Sequence, residues 1–161
     1  MSTTAQLERW AAENAPLYHD STFLGVLASD QLSDPHTVAI RAPAALVVNW
    51  DPGDMPGSHW CSILVTRRAV LWFDSHGLLP DAPDLLVGHS TSFGCWLSSL
   101  CLHLGLRRYS WNTADLQSLA ETTCGHWAVL LLQDGPKKGW RRFGPDQEAN
   151  DALIRQLVLF T

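Results

Sequence analysis

The sequence predicts an α+β fold on three observations: a β-hairpin pattern in the middle of the chain, helical periodicity before and after it, and a length that holds one core. At 161 residues the chain corresponds to about one domain on a scale of ~150 residues per domain, so residues 1–161 are expected to form a single domain. Hydrophobic residues make up 46% and charged residues 17%, below the roughly 25% charged residues usual in soluble domains. That composition supplies a core and excludes disorder. The 11 basic and 16 acidic residues leave a net charge of -5, which argues against a surface built to hold nucleic-acid phosphates.

Thr3 and Gln6 have capping-box spacing, and Leu7, Trp10, Ala11 and Asn14 follow at helical intervals up to Pro16, which predicts a short amphipathic opening helix. The run AALVVNW from Ala44 to Trp50 reads as a buried strand, and DPGDMPGS over residues 51–58 is turn chemistry. His59 to Thr66 and Ala69 to Asp74 read as the arms of a β-hairpin turning at Arg67 and Arg68, without the favoured Gly or Asn. Phe93, Trp96, Leu97, Leu100 and Leu104 mark one face of a helix over residues 90–105, capped by Gly105. Leu106 to Trp111 reads as another strand. Thr122 or Thr123 then caps a helix from Cys124 to Gln133, closed by Gly135. A last helix after Gly144 and Pro145 carries Ala149, Leu153, Leu157 and Phe160 on one face.

The first twenty residues hold Glu8, Arg9, Glu13 and Asp20 and no apolar run, so no signal or transit peptide is expected. The longest apolar run, Trp127 to Leu132, is far short of the ~20 residues of a membrane span. Cysteines at 61, 95, 101 and 124 form no C-x-x-C pair and no dense disulfide framework, so reduced thiols and a cytosolic or nuclear setting are expected. No cofactor and no metal is expected, because no Walker loop, G-x-G-x-x-G or H-E-x-x-H occurs. Gly88, His89, Ser90 and Thr91 begin a G-x-S-x-G pattern, but Ser92 replaces its last glycine. Lys137, Lys138, Arg141 and Arg142 flank Trp140, a basic and aromatic cluster that reads either as a phosphate contact or as a solvated turn.

Cys124 is the most suggestive single residue, since the unpaired N–H groups and the dipole at a helix start favour the thiolate that attacks a carbonyl. Gly125 behind it lets a backbone come close. His59 opens one hairpin arm and Asp74 closes the other, so antiparallel pairing brings imidazole and carboxylate to the same end of the sheet. His76 and His126 remain rival bases, being near Asp74 and Cys124 in sequence. Gln117, seven residues before Cys124, has an amide N–H that can join the Cys124 backbone N–H in an oxyanion hole.

The order His59, Asp74, Gln117, Cys124 resembles the cysteine proteases of the adenovirus endopeptidase (adenain) type and the related SUMO- and NEDD8-deconjugating (Ulp-type) proteases. FLG at Phe23 to Gly25, VVN at Val47 to Asn49, the glycine-containing loop before His59 and Trp60, the Gln117 to Cys124 spacing and the pair Cys124–Gly125 look like the viral enzyme. SHWCSILV at 58–65 and FDSHG at 73–77 look more like the deconjugating proteases. Thr123 stands where those enzymes have an aspartate, and the chain is more acidic and shorter than the viral enzyme.

The resemblance implies a papain-like fold, a mixed and mostly antiparallel sheet packed against a central helix that bears the nucleophile. It also implies a thiol endopeptidase with a Cys124–His59–Asp74 triad and a Gln117 oxyanion hole. Trp60 and Gly125 would bind substrate in a narrow groove suited to glycine. A viral protease processing precursor proteins in virion maturation is expected, in the host nucleus or cytoplasm and the virion, and not secreted. The alternatives are a ubiquitin-like deconjugase and a non-catalytic peptide-binding module.

The expected partners are a protein or polyprotein substrate and, by resemblance, an activating peptide that acts by non-covalent strand addition or not at all. The viral enzyme is stimulated by DNA, but the charge of this chain predicts activity independent of DNA. No membrane contact is expected, and the protein is expected to be a monomer. Cys95 and Cys101, beside apolar neighbours, are both expected to be buried, which leaves no thiol for a disulfide-linked activator.

Overall fold

A computed structural model describes residues 1–82 and 93–160. The interrupted G-x-S-x-G pattern at residues 88–92 lies outside the described residues, as do the side chains of Lys137, Lys138 and Trp140. Among the described residues the fold is α+β, with five helices and an open five-stranded mixed sheet.

The strands are β1 (Thr22–Leu27), β2 (Ala44–Asn49), β3 (Trp60–Val65), β4 (Val70–Phe73) and β5 (Ser110–Trp111), and they lie side by side in that order. The central pairs β2–β3 and β3–β4 are antiparallel, while the outer pairs β1–β2 and β4–β5 are parallel. The hairpin turn works without Gly or Asn because Thr66 Oγ1 accepts the N–H groups of Arg68 and Ala69, at 3.3 and 3.0 Å.

The helices are α1 (Thr4–Glu13), α2 (Pro35–Val38), α3 (Phe93–His103), α4 (Cys124–Trp140) and α5 (Gln147–Leu157). α1 has the full capping box, with the Gln6 N–H donating to Thr3 Oγ1 and the Thr3 N–H to Gln6 Oε1. α3 stops at Gly105, whose φ of 72° suits glycine, and the Leu106 N–H closes back on the Cys101 carbonyl at 2.8 Å.

Every residue of β2 and β3 is buried, because the sheet is covered on both faces. Ala45, Val47, Trp60, Leu64 and Phe73 pack with Leu7 and Trp10 of α1 and Trp127 to Leu132 of α4. Ala44, Leu46, Val48, Cys61, Ile63 and Trp72 pack on the other face with Phe93, Trp96, Leu97 and Leu100 of α3. The period of two along each strand assigns neighbours to opposite cores, and this alternation decides which face His59, Cys61 and Asp74 share.

Several elements differ from the sequence expectation. β1 carries no clear period-two signal, since a bulge between Phe23 and Val26 breaks its register and Gly25 has a φ of 121°. The strand expected over Leu106 to Trp111 shrinks to Ser110–Trp111. Helical geometry in α4 is interrupted at Gly135, where the helix was expected to close, and resumes beyond Pro136. Thr123 stands at the N-cap position of α4 but makes no cap bond; its hydroxyl donates to Asp151.

α5 buries a different face from the one its apolar spacing marks. Ala149 and Leu157 are exposed, and Asn150, Asp151 and Ile154 point inward. The polar pair anchors the helix: Asn150 Nδ2 donates to the Leu116 and Gly144 carbonyls, and Asp151 accepts from the Ser118 N–H and Thr123 Oγ1. Cys101 is buried as expected but Cys95 is exposed. At about 100° per residue, position 95 lies some 200° from Phe93 and so faces away from the stripe Phe93–Trp96–Leu97–Leu100.

Candidate active site

The site forms where the β3–β4 hairpin opens toward the start of α4. Continuing the pairing Ser62↔Phe73 one step sets Cys61 opposite Asp74, with His59 next along the same face. Asp74 Oδ2 takes both neighbours: His59 Nε2 at 3.0 Å and the Cys61 thiol at 3.1 Å. Its other oxygen, Oδ1, accepts the His76 N–H at 2.7 Å. The Asp74 backbone is clasped by Asn112, whose Oδ1 accepts the Asp74 N–H at 2.9 Å and whose Nδ2 donates to the Asp74 carbonyl at 2.6 Å. Asp74 is fully buried and His59 is 7% exposed, so the pair interacts in a medium much less screening than water.

Burial opposes charge on both partners, and their mutual interaction overcomes it. For Asp74, burial pushes the pKa up, but the hydrogen bond and charge of His59, with the Cys61 thiol and the His76 N–H, bring it below its ordinary value. For His59, burial pushes the pKa down, yet Cys61 and the hydrogen bonds to Asp74 and Cys124 raise it well above 6.5. Cys61 itself is forced far up, first by burial and then by the Asp74 charge. It is therefore a neutral thiol near neutral pH, and the charge that holds the imidazolium is that of Asp74.

Cys124 is the first residue of α4 and is 2% exposed. Its thiol comes near enough to His59 to help raise the imidazole pKa, although no hydrogen bond of standard geometry joins the two among the described residues. Of the rival bases, His76 stacks on His59 with ring centres 5.4 Å apart, and its Nδ1 lies 3.2 Å from the exposed Asp115. His126 packs edge-on against Phe160 at 4.6 Å, and burial lowers its pKa, helped by the chain's N-terminal ammonium. Neither has a hydrogen bond to Asp74 from its ring.

Gln117 is buried and tied to Ser75, the neighbour of Asp74. Ser75 Oγ donates to Gln117 Oε1 at 2.7 Å, and the Leu116 and Gln117 N–H groups both donate to the Ser75 carbonyl. Gln117 Nε2 donates to the Glu121 carbonyl at 2.8 Å. The Glu121 carbonyl, which can only accept, fixes which end of the amide is which. One further N–H remains on Nε2 for another acceptor.

Trp60 lines a cleft of about 220 Å³ together with Thr4, Val26, Asn49, Asp51 and Gly57. Trp60 Nε1 donates to the Ser2 carbonyl of the N-terminal segment at 3.0 Å. Gly125 faces the same segment: a Cβ there would lie 2.5 Å from Ser2 Oγ. The space beside Gly125, where a substrate backbone was expected to approach, is taken by the Ser2 side chain.

Besides Cys61, sequence reasoning missed three contributors. Trp50 sets its ring edge-on to His59 at 4.6 Å, Asn112 clasps Asp74, and Asp151 ties α5 to the turn before Cys124. Of the basic cluster, Arg142 is paired with Asp134 at 3.1 Å. No described helix is long and apolar enough to cross a membrane. A scan of family models and a search of curated proteins found no match to the chain.

Proposed function

We propose that the protein is a thiol endopeptidase of the adenain type, cutting protein substrates at glycine-containing sites. The observation that carries this reading is the buried imidazole of His59, hydrogen-bonded to Asp74 at 3.0 Å and adjacent to the thiol of Cys124 at the start of α4. His59 takes the Cys124 proton, and the thiolate attacks the scissile carbonyl. The Cys124 N–H and the second amide N–H of Gln117 receive the oxyanion. The imidazolium returns its proton to the leaving amine, which departs and leaves an acyl-enzyme. His59 then deprotonates a water that releases the acyl group. Asp74 holds the imidazole in one orientation and stabilises its charged form.

The resemblance to the adenain type implies small residues near the scissile bond, beside Trp60. On this reading the fold is the papain-like arrangement, with the hairpin bearing base and acid and α4 bearing the nucleophile. The substrate is a precursor protein, and activity needs neither DNA nor a cofactor. The test is turnover of fluorogenic glycine-containing peptides by the wild type and Cys124→Ala, beside ubiquitin-like modifiers carrying C-terminal fusions. Cleavage of the peptides, lost in Cys124→Ala, supports the reading. Cleavage of the fusions alone would replace it with deconjugation.

A further inference from the structure

The reaction above uses one sulfur, yet a second thiol is buried against the same imidazole. One ligand atom each from Cys61, His59 and Asp74 all lie within 4.8 Å of one another, and Asp74 Oδ2 is 3.0 Å from His59 Nε2 and 3.1 Å from Cys61 Sγ. Ligand atoms around a tetrahedral zinc with bonds of ~2.0–2.3 Å sit about 3.3–3.8 Å apart. A cation can therefore be received by widening these contacts by a few tenths of an ångström. We propose that His59, Cys61 and Asp74 form a binding site for a zinc-class divalent cation, and that its occupation blocks the hydrolase.

The donor set is one imidazole, one thiolate and one carboxylate, with a fourth position open. Magnesium and calcium take oxygen ligands, whereas this mixture of nitrogen, sulfur and oxygen suits zinc and its borderline neighbours. Thiolate and carboxylate together bring two negative charges into a site shielded from water, which a dication neutralises. The surroundings already fix the ligands. His76 N–H holds the second Asp74 oxygen, Asn112 holds the Asp74 backbone, and Trp50 packs the imidazole edge.

Access runs through His59, whose side chain is 9% exposed, at the open end of the hairpin. On binding, the Cys61 proton leaves to solvent. The imidazole stays neutral, with its Nε2 lone pair on the cation and its remaining proton on Nδ1. It then has no lone pair with which to take the Cys124 proton. The inhibitory half of the proposal rests on the proposed roles of His59 and Cys124; the binding half does not.

The test titrates Co²⁺ into the full-length Cys124→Ala protein, so that the sulfur at the site is that of Cys61. The expected result is one equivalent bound, with a thiolate-to-cobalt charge-transfer band that Zn²⁺ abolishes by displacement. The band disappears in Cys124→Ala/Cys61→Ala, and cobalt affinity falls at least tenfold in Cys124→Ala/His59→Ala, a second variant at a less buried position. In the peptide assay Zn²⁺ inhibits the wild type and a chelator restores it. A band that survives loss of Cys61, or no band at all, overturns the site. A band as expected with hydrolysis that zinc leaves unchanged overturns the inhibitory half. Cobalt binding as expected in a protein without hydrolase activity upholds the site and refutes the functional reading instead.

Discussion

On the sheet side of His59 lies Cys61, in the interior of β3, with its backbone paired to Val48 and its thiol donating to a carboxylate. On the helix side lies Cys124, where α4 begins and the first N–H groups have no partner within the helix. Both cysteines are buried and both interact with the same imidazole. Their surroundings differ in the sign of the nearest fixed charge. Asp74 repels a thiolate at Cys61 and, with burial, keeps that sulfur protonated. The helix start offers Cys124 positive partial charge and donors for an oxyanion. On the proposed mechanism, nearness to a base does not select the nucleophile; the backbone and charge around the sulfur do.

The largest expected effect separates the two sulfurs. Cys124→Ala should abolish turnover while leaving the fold intact, since one sulfur at a helix start contributes little packing. Cys61→Ala should slow turnover by about tenfold, the scale of one hydrogen bond to a charged group. Equal losses in steady-state assays would erase the distinction. His59→Ala should cost about 10²–10⁴-fold, the range for a positioned acid–base group, whereas His76→Ala and His126→Ala should stay close to the wild-type rate. A severe loss at either rival with His59→Ala still active would reassign the base.

Gln117→Ala tests the helix side without touching either sulfur. Losing one oxyanion donor should lower kcat by about 10²-fold, with the rate of alkylation by iodoacetamide unchanged. If both rates fall together, the Gln117 bonds to Ser75 and Glu121 serve architecture alone.

Asp74→Asn probes the sheet side through pH. The raised pKa of His59 places the acid limb of kcat/KM, below which the imidazole is protonated and cannot take the Cys124 proton, above the ordinary 6.5; removing the carboxylate should move that limb down. Stability follows the same two groups. The His59 contribution is complete below 6.5 and lost as pH rises through its raised pKa. The Asp74 contribution is present above 3.8 and lost as pH falls through its lowered one. Urea midpoints of wild type and Asp74→Asn should accordingly differ most between about pH 4 and 6.5, and a constant difference across pH would count against the ion pair.

The parts legible in the sequence are those with a repeating or a local signature. Period-two alternation gave the hairpin and hence the meeting of His59 with Asp74, and Thr3 with Gln6 marked the start of α1. What stayed hidden depends on polar groups brought together from far apart. Asn112, 38 residues from Asp74, and Asp151, 28 residues from Thr123, have no periodicity to betray them. Buried polar anchors also explain the turned face of α5, where Asn150 and Asp151 outrank Leu153 and Leu157. Cys61 escaped notice as a neighbour of the site because in a strand it reads as a small apolar residue.

The measurement that bears most directly on the choice between the two sulfurs is the site of covalent capture. Wild-type protein would be treated with a peptide ending in glycine and carrying an electrophilic warhead, then digested and mapped by mass spectrometry. The account predicts one adduct, on Cys124, formed at a rate that collapses in His59→Ala, with Cys61 unmodified. An adduct on Cys61, or labelling of Cys124 at the same rate without His59, would contradict it.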